Sequence, residues 1–281
     1  MGIKKQDIVN MVDKMPAFPK SVHRVLELSS DINCNPRDLV EVIEHDPVMV
    51  LKILQLVNSV YFGLSQKISS VNHAVVYIGL NTVKNLAVSA ATVGALPRRN
   101  EAGFDMDAFL LHSLSTATIA RQFARKMRVP DRESFDFFLS GLLHDFGKIV
   151  FAHFLPNEYR QALDMAKEKQ MPLYMAESEV FDIDHAQVGS FLGEKWQLPS
   201  NLVESLKGHH TASSDSSLLI NTVSAADQIT KELKLGNSGE NIVEKVPEEI
   251  AKLFGRDTGA IITALGDVQA EIEKARIFIK L

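Results

Sequence analysis

The residues best suited to chemistry in this 281-residue chain are five histidines and two aspartates, spaced as in a metal centre. They are arranged around the adjacent pair His144-Asp145, which follows an apolar run and precedes Gly147. A hydrolytic site with two metal ions needs about this supply of imidazoles, plus a carboxylate that can bridge. In chain order the candidate metal ligands are His112, His144, Asp145, His185, His209, His210 and Asp227.

The carboxylate of Asp145 has two oxygens and can therefore bridge two cations. The other candidates then divide into two sets, one for each cation. The first set is His112, His144 and Asp227, and the second is His185, His209 and His210. These ligand types favour two divalent metal ions, iron, manganese or zinc, over magnesium or calcium, and they do not distinguish among those three.

A bridged pair of cations can activate water for attack on a phosphate ester. Lys148 follows His144 by four residues and could neutralise a phosphate oxygen as negative charge builds up. Lys148 and Asp145 are therefore the candidate catalytic residues.

Each candidate ligand also has a structural interpretation. A lone histidine such as His112 on an apolar helix face is more often a hydrogen-bonded core residue. His209 and His210 near a helix end could interact with the helix dipole, and Asp227 could be a buried acid with a partner. Taken together, these alternatives require several unrelated buried polar groups, each satisfied separately. The joint pattern favours metal binding.

The remaining histidines have simpler interpretations. His45-Asp46 is also a His-Asp pair, but Pro47 follows it, and Asp46 is explained as a helix N-cap. His153 is expected in the core or beside the site, not as a ligand. Surface or packing roles are expected for His23 and His73.

The hydrophobic pattern is helical almost throughout, and no segment shows a convincing strand alternation. Residues 71–93 are typical of one or two helices, after which a polar stretch with Pro and Gly, residues 96–103, interrupts the pattern. The prediction is an all-α helical bundle. Its N-terminal helical subdomain covers residues 1–97 and its second subdomain residues 98–281.

The candidate ligands fall on or near the ends and inner faces of these helices. Asp107 is the expected cap of the His112 helix, in which Thr116, Ile119 and Phe123 share the inner face. Residues 135–142 predict a helix that ends at His144. Further helix starts are expected at Asp184 with Gln187, at Pro199-Ser200, at Asp215, at Pro247 and at Asp257, with a loop over residues 234–245.

The composition excludes several classes of protein. A net charge of −5 argues against broad, sequence-independent nucleic-acid binding, which needs a basic surface. The only cysteine, Cys34, excludes an internal disulfide and fits a reducing compartment. Its expected role is packing, as is that of Trp196, while Arg98-Arg99 is expected to be a solvated loop pair. We find no signal peptide and no apolar run of membrane-spanning length, so a cytoplasmic protein without membrane contact is expected.

These residues resemble a known superfamily. The set His112, His144-Asp145 and Asp227 is similar to that of the HD metal-dependent phosphohydrolases. With the histidines at 185, 209 and 210 it resembles the two-metal HD-GYP branch, which hydrolyses cyclic di-GMP. However, no Gly-Tyr-Pro loop follows His210.

The rest of the chain closely resembles the HDOD family over roughly residues 10–210. The motifs that carry the resemblance are Met15-Pro16-Ala17-Phe18-Pro19, the segments 43–47 (IEHDP), 56–63 (LVNSVYFG) and 68–75 (ISSVNHAV), and Ile78-Gly79-Leu80. The resemblance implies an all-helical bacterial signalling module, usually without catalytic residues. This chain departs from that pattern because its ligand set is complete.

Two functions are therefore expected. The first is a bacterial signalling or regulatory protein with an intact two-metal site, acting through protein partners in a signalling pathway or through a nucleotide or phosphate ligand. The alternative is a metal-dependent phosphohydrolase, a phosphodiesterase or nucleotidase acting on a nucleotide or cyclic dinucleotide. Whether the protein is an enzyme stays open, since kinship of fold does not establish catalysis.

Overall fold

The structure, a computed structural model, describes residues 5–30, 35–97 and 100–280, and over these ranges the chain is helical with no strand. The all-α prediction is confirmed. Cys34 and the Arg98-Arg99 pair lie outside the described residues. The helices are α1 Lys5–Val12, α2 Lys20–Ser30, α3 Pro36–Glu44, α4 Pro47–Val57, α5 Val71–Ile78, α6 Leu80–Ala95, α7 Met106–Lys126, α8 Asp131–Leu143, α9 Gly147–Phe154, α10 Pro156–Lys169, α11 Leu173–Phe181, α12 His185–Lys195, α13 Ser200–Gly208, α14 Leu218–Glu232, α15 Glu248–Phe254, α16 Thr258–Leu265 and α17 Val268–Ala275, followed by a 3-10 helix, Arg276–Ile279.

Helix α7, with 21 residues, is central to the bundle and packs against α8, α14, α16 and α17. Its inner face is buried, as the offsets of three and four residues predicted. The predicted cap at Asp107 is wrong. The carboxylate of Asp105 accepts from the backbone N–H groups of Asp107 and Ala108 at 3.0 Å. Asp107 itself lies in the first turn, where its negative charge interacts favourably with the positive end of the helix dipole.

The predicted cap of α14 at Asp215 is also wrong. The side chain of Ser217 caps this helix by accepting from the N–H of Ile220 at 3.3 Å. Several residues of the capping type occur in a row before α14, so the sequence alone does not select one.

The C-terminal helix expected from Asp257 onward is divided in two. Asp257 does cap α16, but Gly266 adopts a φ of +92°, which ends that helix, and Asp267 caps α17. A left-handed conformation of this kind favours glycine, so the break is encoded at Gly266.

In the N-terminal part, α2 packs on α3 and α6, and α4 packs on α5 and α6. Asp46 caps α4 as predicted, with Pro47 at the first position. Helix α6 also packs on α8, and one apolar core includes residues from both sides of residue 97. The boundary at residue 97 therefore stays a prediction.

Helix α1 packs against α12 and α9, which lie far from it in the chain. The Lys195 ammonium donates to three carbonyl oxygens, those of Val12 at the end of α1 and of Asp13 and Met15 just after it, at 2.6 to 2.9 Å. The Trp196 indole donates to the Pro16 carbonyl at 3.0 Å and stacks on Phe18. Trp196 is thus a core anchor, as expected.

No single helix within the described ranges is long and apolar enough to cross a membrane, although α5 and α6, bent by 119°, pass that criterion as a pair. Of the two positions expected for His153, in the core or beside the site, the first is wrong, because its side chain is exposed at the end of α9. His45 is exposed, and His23 and His73 are half-buried, in line with surface or packing roles.

Candidate metal centre

The pair His144-Asp145 lies in the short link between α8 and α9. Phe135, Phe138 and Leu142 bury one face of α8 and so fix where its C-terminal end lies. Gly147, two residues after Asp145, starts α9, and a Cβ added there would lie 2.0 Å from the carbonyl oxygen of His185. The two backbones touch at Gly147, and this contact brings Asp145 to the start of α12.

Helices α7 and α14 supply His112 and Asp227, whose Nε2 and Oδ1 atoms are 3.1 Å apart. One turn farther along, Thr116 and Thr230 join the same two helices by a hydrogen bond of 3.1 Å. The packing of α7 on α14 therefore sets the distance between these two predicted ligands.

The remaining three histidines come from α12 and the end of α13. Asp184 caps α12 through the N–H of Gln187 at 2.8 Å and thereby fixes the first residue, His185. His209 and His210 follow α13, and the Nε2 atoms of His185 and His210 are 2.8 Å apart.

Asp145 lies between the two predicted sets. Its Oδ1 is 3.0 Å from His185 Nε2 and 3.8 Å from His209 Nε2. Its Oδ2 is 3.3 Å from His144 Nε2 and 3.6 Å from His112 Nε2. The structure thus brings all seven predicted residues together in two groups whose candidate ligand atoms lie within 4.8 Å of one another, Asp145 with His185, His209 and His210, and His112 with His144 and Asp227.

Three of the imidazoles are oriented through their Nδ1 atoms. Nδ1 of His144 and of His209 each lies 2.8 Å from a backbone carbonyl oxygen three residues earlier in the chain. Nδ1 of His185 lies 2.5 Å from Glu177 Oε2. A proton on Nδ1 satisfies each of these oxygens and leaves the Nε2 lone pair directed into the centre, which is how metal-binding histidines are usually held.

Several inward atoms have no hydrogen-bond partner. They are the Nε2 atoms of His112, His144 and His209 and the Oδ1 atom of Asp227, all buried. The short distance from His112 to Asp227 is not a hydrogen bond, because the two groups are poorly aligned. Buried polar atoms are rarely left unpaired, and a divalent cation coordinated by the lone pairs of these nitrogen and oxygen atoms would satisfy them together. The residues fit a metal site.

Two buried lysines neutralise the carboxylates. Lys148 Nζ is 2.7 Å from Asp145 Oδ2, and Lys231 Nζ is 3.0 Å from Asp227 Oδ2. Each lysine has a second partner in the loop 234–245: Lys148 donates to Ser238 at 3.1 Å, and Lys231 to Glu240 at 2.5 Å.

The sequence analysis did not identify Lys231, Glu177, Ser238 or Glu240. For Lys231 a signal existed, because it follows Asp227 by four residues and so shares its helix face. The other three approach the site only through the tertiary fold.

The electrostatics differ from one ligand to the next. Burial alone would raise the pKa of Asp227, but Lys231 and His112 hold it well below its usual range. Burial would lower the pKa of His144, yet Asp145 and Asp227 raise it to about 9. For His209, burial and the neighbouring imidazoles place the pKa well below its usual range. Since a ligating imidazole must be unprotonated, a cation would expel the His144 proton.

The centre is enclosed. Six of the seven residues are at most 2% exposed, and only His210 is half-buried. His210 stacks on Tyr174 with ring centroids 4.3 Å apart. None of the seven lines the surface cavities of about 730, 580 and 560 Å³, although the last of these lies against the loop 234–245, with Asn237 and Glu240 in its lining.

Comparison with known proteins places this geometry in a family. The model of the HDOD domain matches residues 15–212, which include six of the seven residues but not Asp227. An uncharacterised protein of Treponema pallidum is 24% identical over 250 residues, covering 88% of this chain and 47% of its own length. The chain therefore spans about half the length of that curated relative.

Two solved structures share the fold. One, a "Putative phosphohydrolase" from Shewanella amazonensis, is 22% identical with a TM-score of 0.73, covering 96% of this chain and 97% of its own. The other, a "Putative signal transduction protein" from Marinobacter aquaeolei, is 20% identical with a TM-score of 0.73, covering 100% of this chain and 61% of its own. With the family model matching most of its length, the chain belongs to the HDOD family.

Proposed function

We propose that this HDOD protein is a bacterial, cytoplasmic signalling module that binds divalent metal at its buried centre and acts through protein partners. The observation that carries the proposal is the set of buried, unpartnered donor atoms on His112, His144, His209 and Asp227. Their orientation through Nδ1 supports it, since this leaves lone pairs free for a cation.

In this proposal His112, His144 and Asp227 hold one cation and His185, His209 and His210 the other, with Asp145 between them. The cations are iron, manganese or zinc. Such ions supply charge compensation and Lewis-acid polarisation of a bound oxygen anion. The residues of the chain supply ligand atoms that are buried away from water and held in position by their neighbours.

Enclosure favours regulation over turnover. A substrate needs access to the centre, but the ligands are buried, and the loop 234–245 contacts both lysines that neutralise the carboxylates. The HD-GYP branch is set apart by its Gly-Tyr-Pro loop, which is absent from this sequence. Both observations support a metal centre that stabilises or senses.

The test is elemental analysis of protein purified without chelator or affinity-tag metal. We expect about two equivalents of iron, manganese or zinc in the wild type and their loss in Asp145→Ala. The matched control is His45→Ala, which removes an exposed histidine from the chain's other His-Asp pair. A folded wild type without metal affinity would contradict the proposal.

The second candidate function is a metal-dependent phosphohydrolase acting on a nucleotide or cyclic dinucleotide. It is supported by the Lys148 ammonium beside Asp145, which could stabilise charge on a phosphate, and by the fold shared with the Shewanella protein named for that chemistry. Turnover of phosphomonoesters or phosphodiesters with manganese or ferrous iron, abolished by Asp145→Ala, would establish it. No turnover across such a panel by the metal-loaded protein would leave the regulatory function.

A further inference from the structure

The loop 234–245, called the strap from here on, links α14 to α15 and contacts both lysines that pair with the carboxylates of the metal centre. Gly236 has a φ of +79°, and a Cβ added there would lie 2.4 Å from the backbone nitrogen of His112. The next residue, Asn237, donates its backbone N–H to the Ala108 carbonyl at 3.0 Å. The strap thus rests directly on the turn of α7 that carries a predicted ligand.

Farther along, the strap is tied to both buried lysines. Ser238 Oγ accepts from Lys148, and Glu240 Oε1 accepts from Lys231. The other partner of each lysine is a carboxylate of the centre. Each lysine therefore joins one predicted ligand to the strap.

The two lysines differ in which oxygen they occupy. Lys231 contacts Asp227 Oδ2 and leaves Oδ1 free on the side of His112. It can therefore orient Asp227 while a cation is bound.

Lys148 contacts Asp145 Oδ2, the oxygen that faces His144 and His112. Asp145 Oδ1 instead faces His185 and His209. A cation held by the first set would therefore reach Asp145 through the oxygen that Lys148 occupies.

We propose that Lys148 is an internal counter-cation that competes with a divalent ion for Asp145 Oδ2, and that its displacement releases the strap at Ser238. This inference rests on the proposed metal centre. Lys148 is 1% exposed, and without the carboxylate its ammonium keeps only a hydroxyl among the contacts described above. A buried, poorly paired charge is costly, so the strap opens until water reaches Nζ.

The two cation positions consequently load unequally. The position formed by His185, His209, His210 and Asp145 Oδ1 fills with the strap closed. The position formed by His112, His144 and Asp227 fills only as Lys148 leaves, and this second event changes the protein surface at the strap. Metal binding at the buried centre thereby changes a surface that a protein partner can bind.

The experiment compares the wild-type full chain with Lys148→Met, which removes the ammonium but keeps the length of the side chain. Lys169→Met is the matched control, because Lys169 also has one carboxylate partner, Glu179 at 2.7 Å, but on the surface. Each protein is stripped with chelator and titrated with Mn²⁺ in a calorimeter. Hydrogen–deuterium exchange of residues 234–245 is followed at zero, one and two equivalents.

For the wild type and Lys169→Met we expect a tight and a weaker Mn²⁺ site, with faster exchange of the strap only as the weaker site fills. In Lys148→Met the weaker site tightens by about tenfold or more, because a competing buried charge is gone. The strap of that variant no longer responds to Mn²⁺.

Two equivalents of Mn²⁺ bound by the wild type with no change in strap exchange would overturn the inference and leave the metal centre standing. An unchanged or weaker second site in folded Lys148→Met would overturn it as well. If the wild type bound none of Mn²⁺, Fe²⁺ and Zn²⁺ in the same titration, the proposed metal centre itself would fail. The wild-type exchange measurement decides the matter even if Lys148→Met does not fold.

Discussion

The N-terminal helices α1 to α5 and the helices around the metal centre, α7 to α14, bury very different residues. Across residues 5–30 and 35–78, every buried side chain that the structure describes is apolar, and the capping groups of Asn35, Asp46 and Ser70 lie at helix ends. From α7 through α14 the described interior instead holds ten buried side chains of the Asp, Glu, His, Lys and Arg types, among them His144, Asp145 and Lys148.

This contrast separates the apolar packing that the fold requires from the buried ionisable groups that it does not require. The N-terminal helices show that apolar packing and capped ends suffice for helices in this chain. Buried ionisable groups add a desolvation cost that packing does not require. Their concentration in one place supports a binding function there.

The largest effect is expected at Gly147, where α9 meets α12. Gly147→Ala places a methyl group 2.0 Å from the His185 carbonyl oxygen, and we expect a loss of more than about 4 kcal/mol of stability or failure to fold. The control Gly94→Ala, on an exposed face of α6, should be neutral or mildly stabilising. Urea denaturation measures both, and equal stability of the two variants would show that the backbones need not touch.

Ile53 tests the N-terminal helices, because it is fully buried in α4. Ile53→Ala should cost about 2–5 kcal/mol, through lost apolar contact and the cavity left behind, while metal content stays at the wild-type value. Denaturation and elemental analysis of the same sample check both parts. Loss of metal from a folded Ile53→Ala variant would show that metal binding depends on the packing of the N-terminal helices.

Glu177 tests the other side of the comparison. Glu177→Gln weakens the hold on His185 Nδ1, and removing such a partner typically lowers metal affinity by about 10–100-fold. Glu179→Gln, two residues along the same helix and exposed, should leave the affinity unchanged. Mn²⁺ titration of the two variants measures this difference in affinity. Equal affinities would show that Glu177 does not contribute to metal binding.

The smallest effect is expected at Asp46. Its hydrogen bond from Ser21 lowers the pKa of the carboxyl, as do the N–H groups that it caps. Because the folded-state pKa is lowered, the ionised carboxylate stabilises the fold above its unfolded-state pKa, and this contribution is lost as the pH falls through the folded-state value. Asp46→Ala should cost about 1 kcal/mol at neutral pH.

The difference between Asp46→Ala and the wild type should shrink below about pH 4. Urea denaturation at pH 7 and pH 3 measures it, with the exposed Asp38→Ala as control. A difference that did not change with pH would mean that the hydroxyl and backbone contacts of Asp46 do not depend on its charge.

The sequence predicted the helical class and the seven candidate ligands because histidines and acids on inner helix faces are unusual. It failed at Asp107 and Asp215, since neighbouring residues can cap a helix equally well and tertiary packing selects one. It also missed Glu177 and Ser238, which reach the site from separate elements. The metal content and the role of each ligand stay predictions.

The attachment of α1 to Lys195 and Trp196 bears on the order of folding. The contacts of Met15 with Lys195 and of Pro16 with Trp196 each join residues 180 positions apart. Such long loops are costly to close and form late. On the ribosome, α1 is synthesised before both of its docking partners, α9 and α12. Its apolar face therefore stays exposed to chaperones and proteases until those helices have followed.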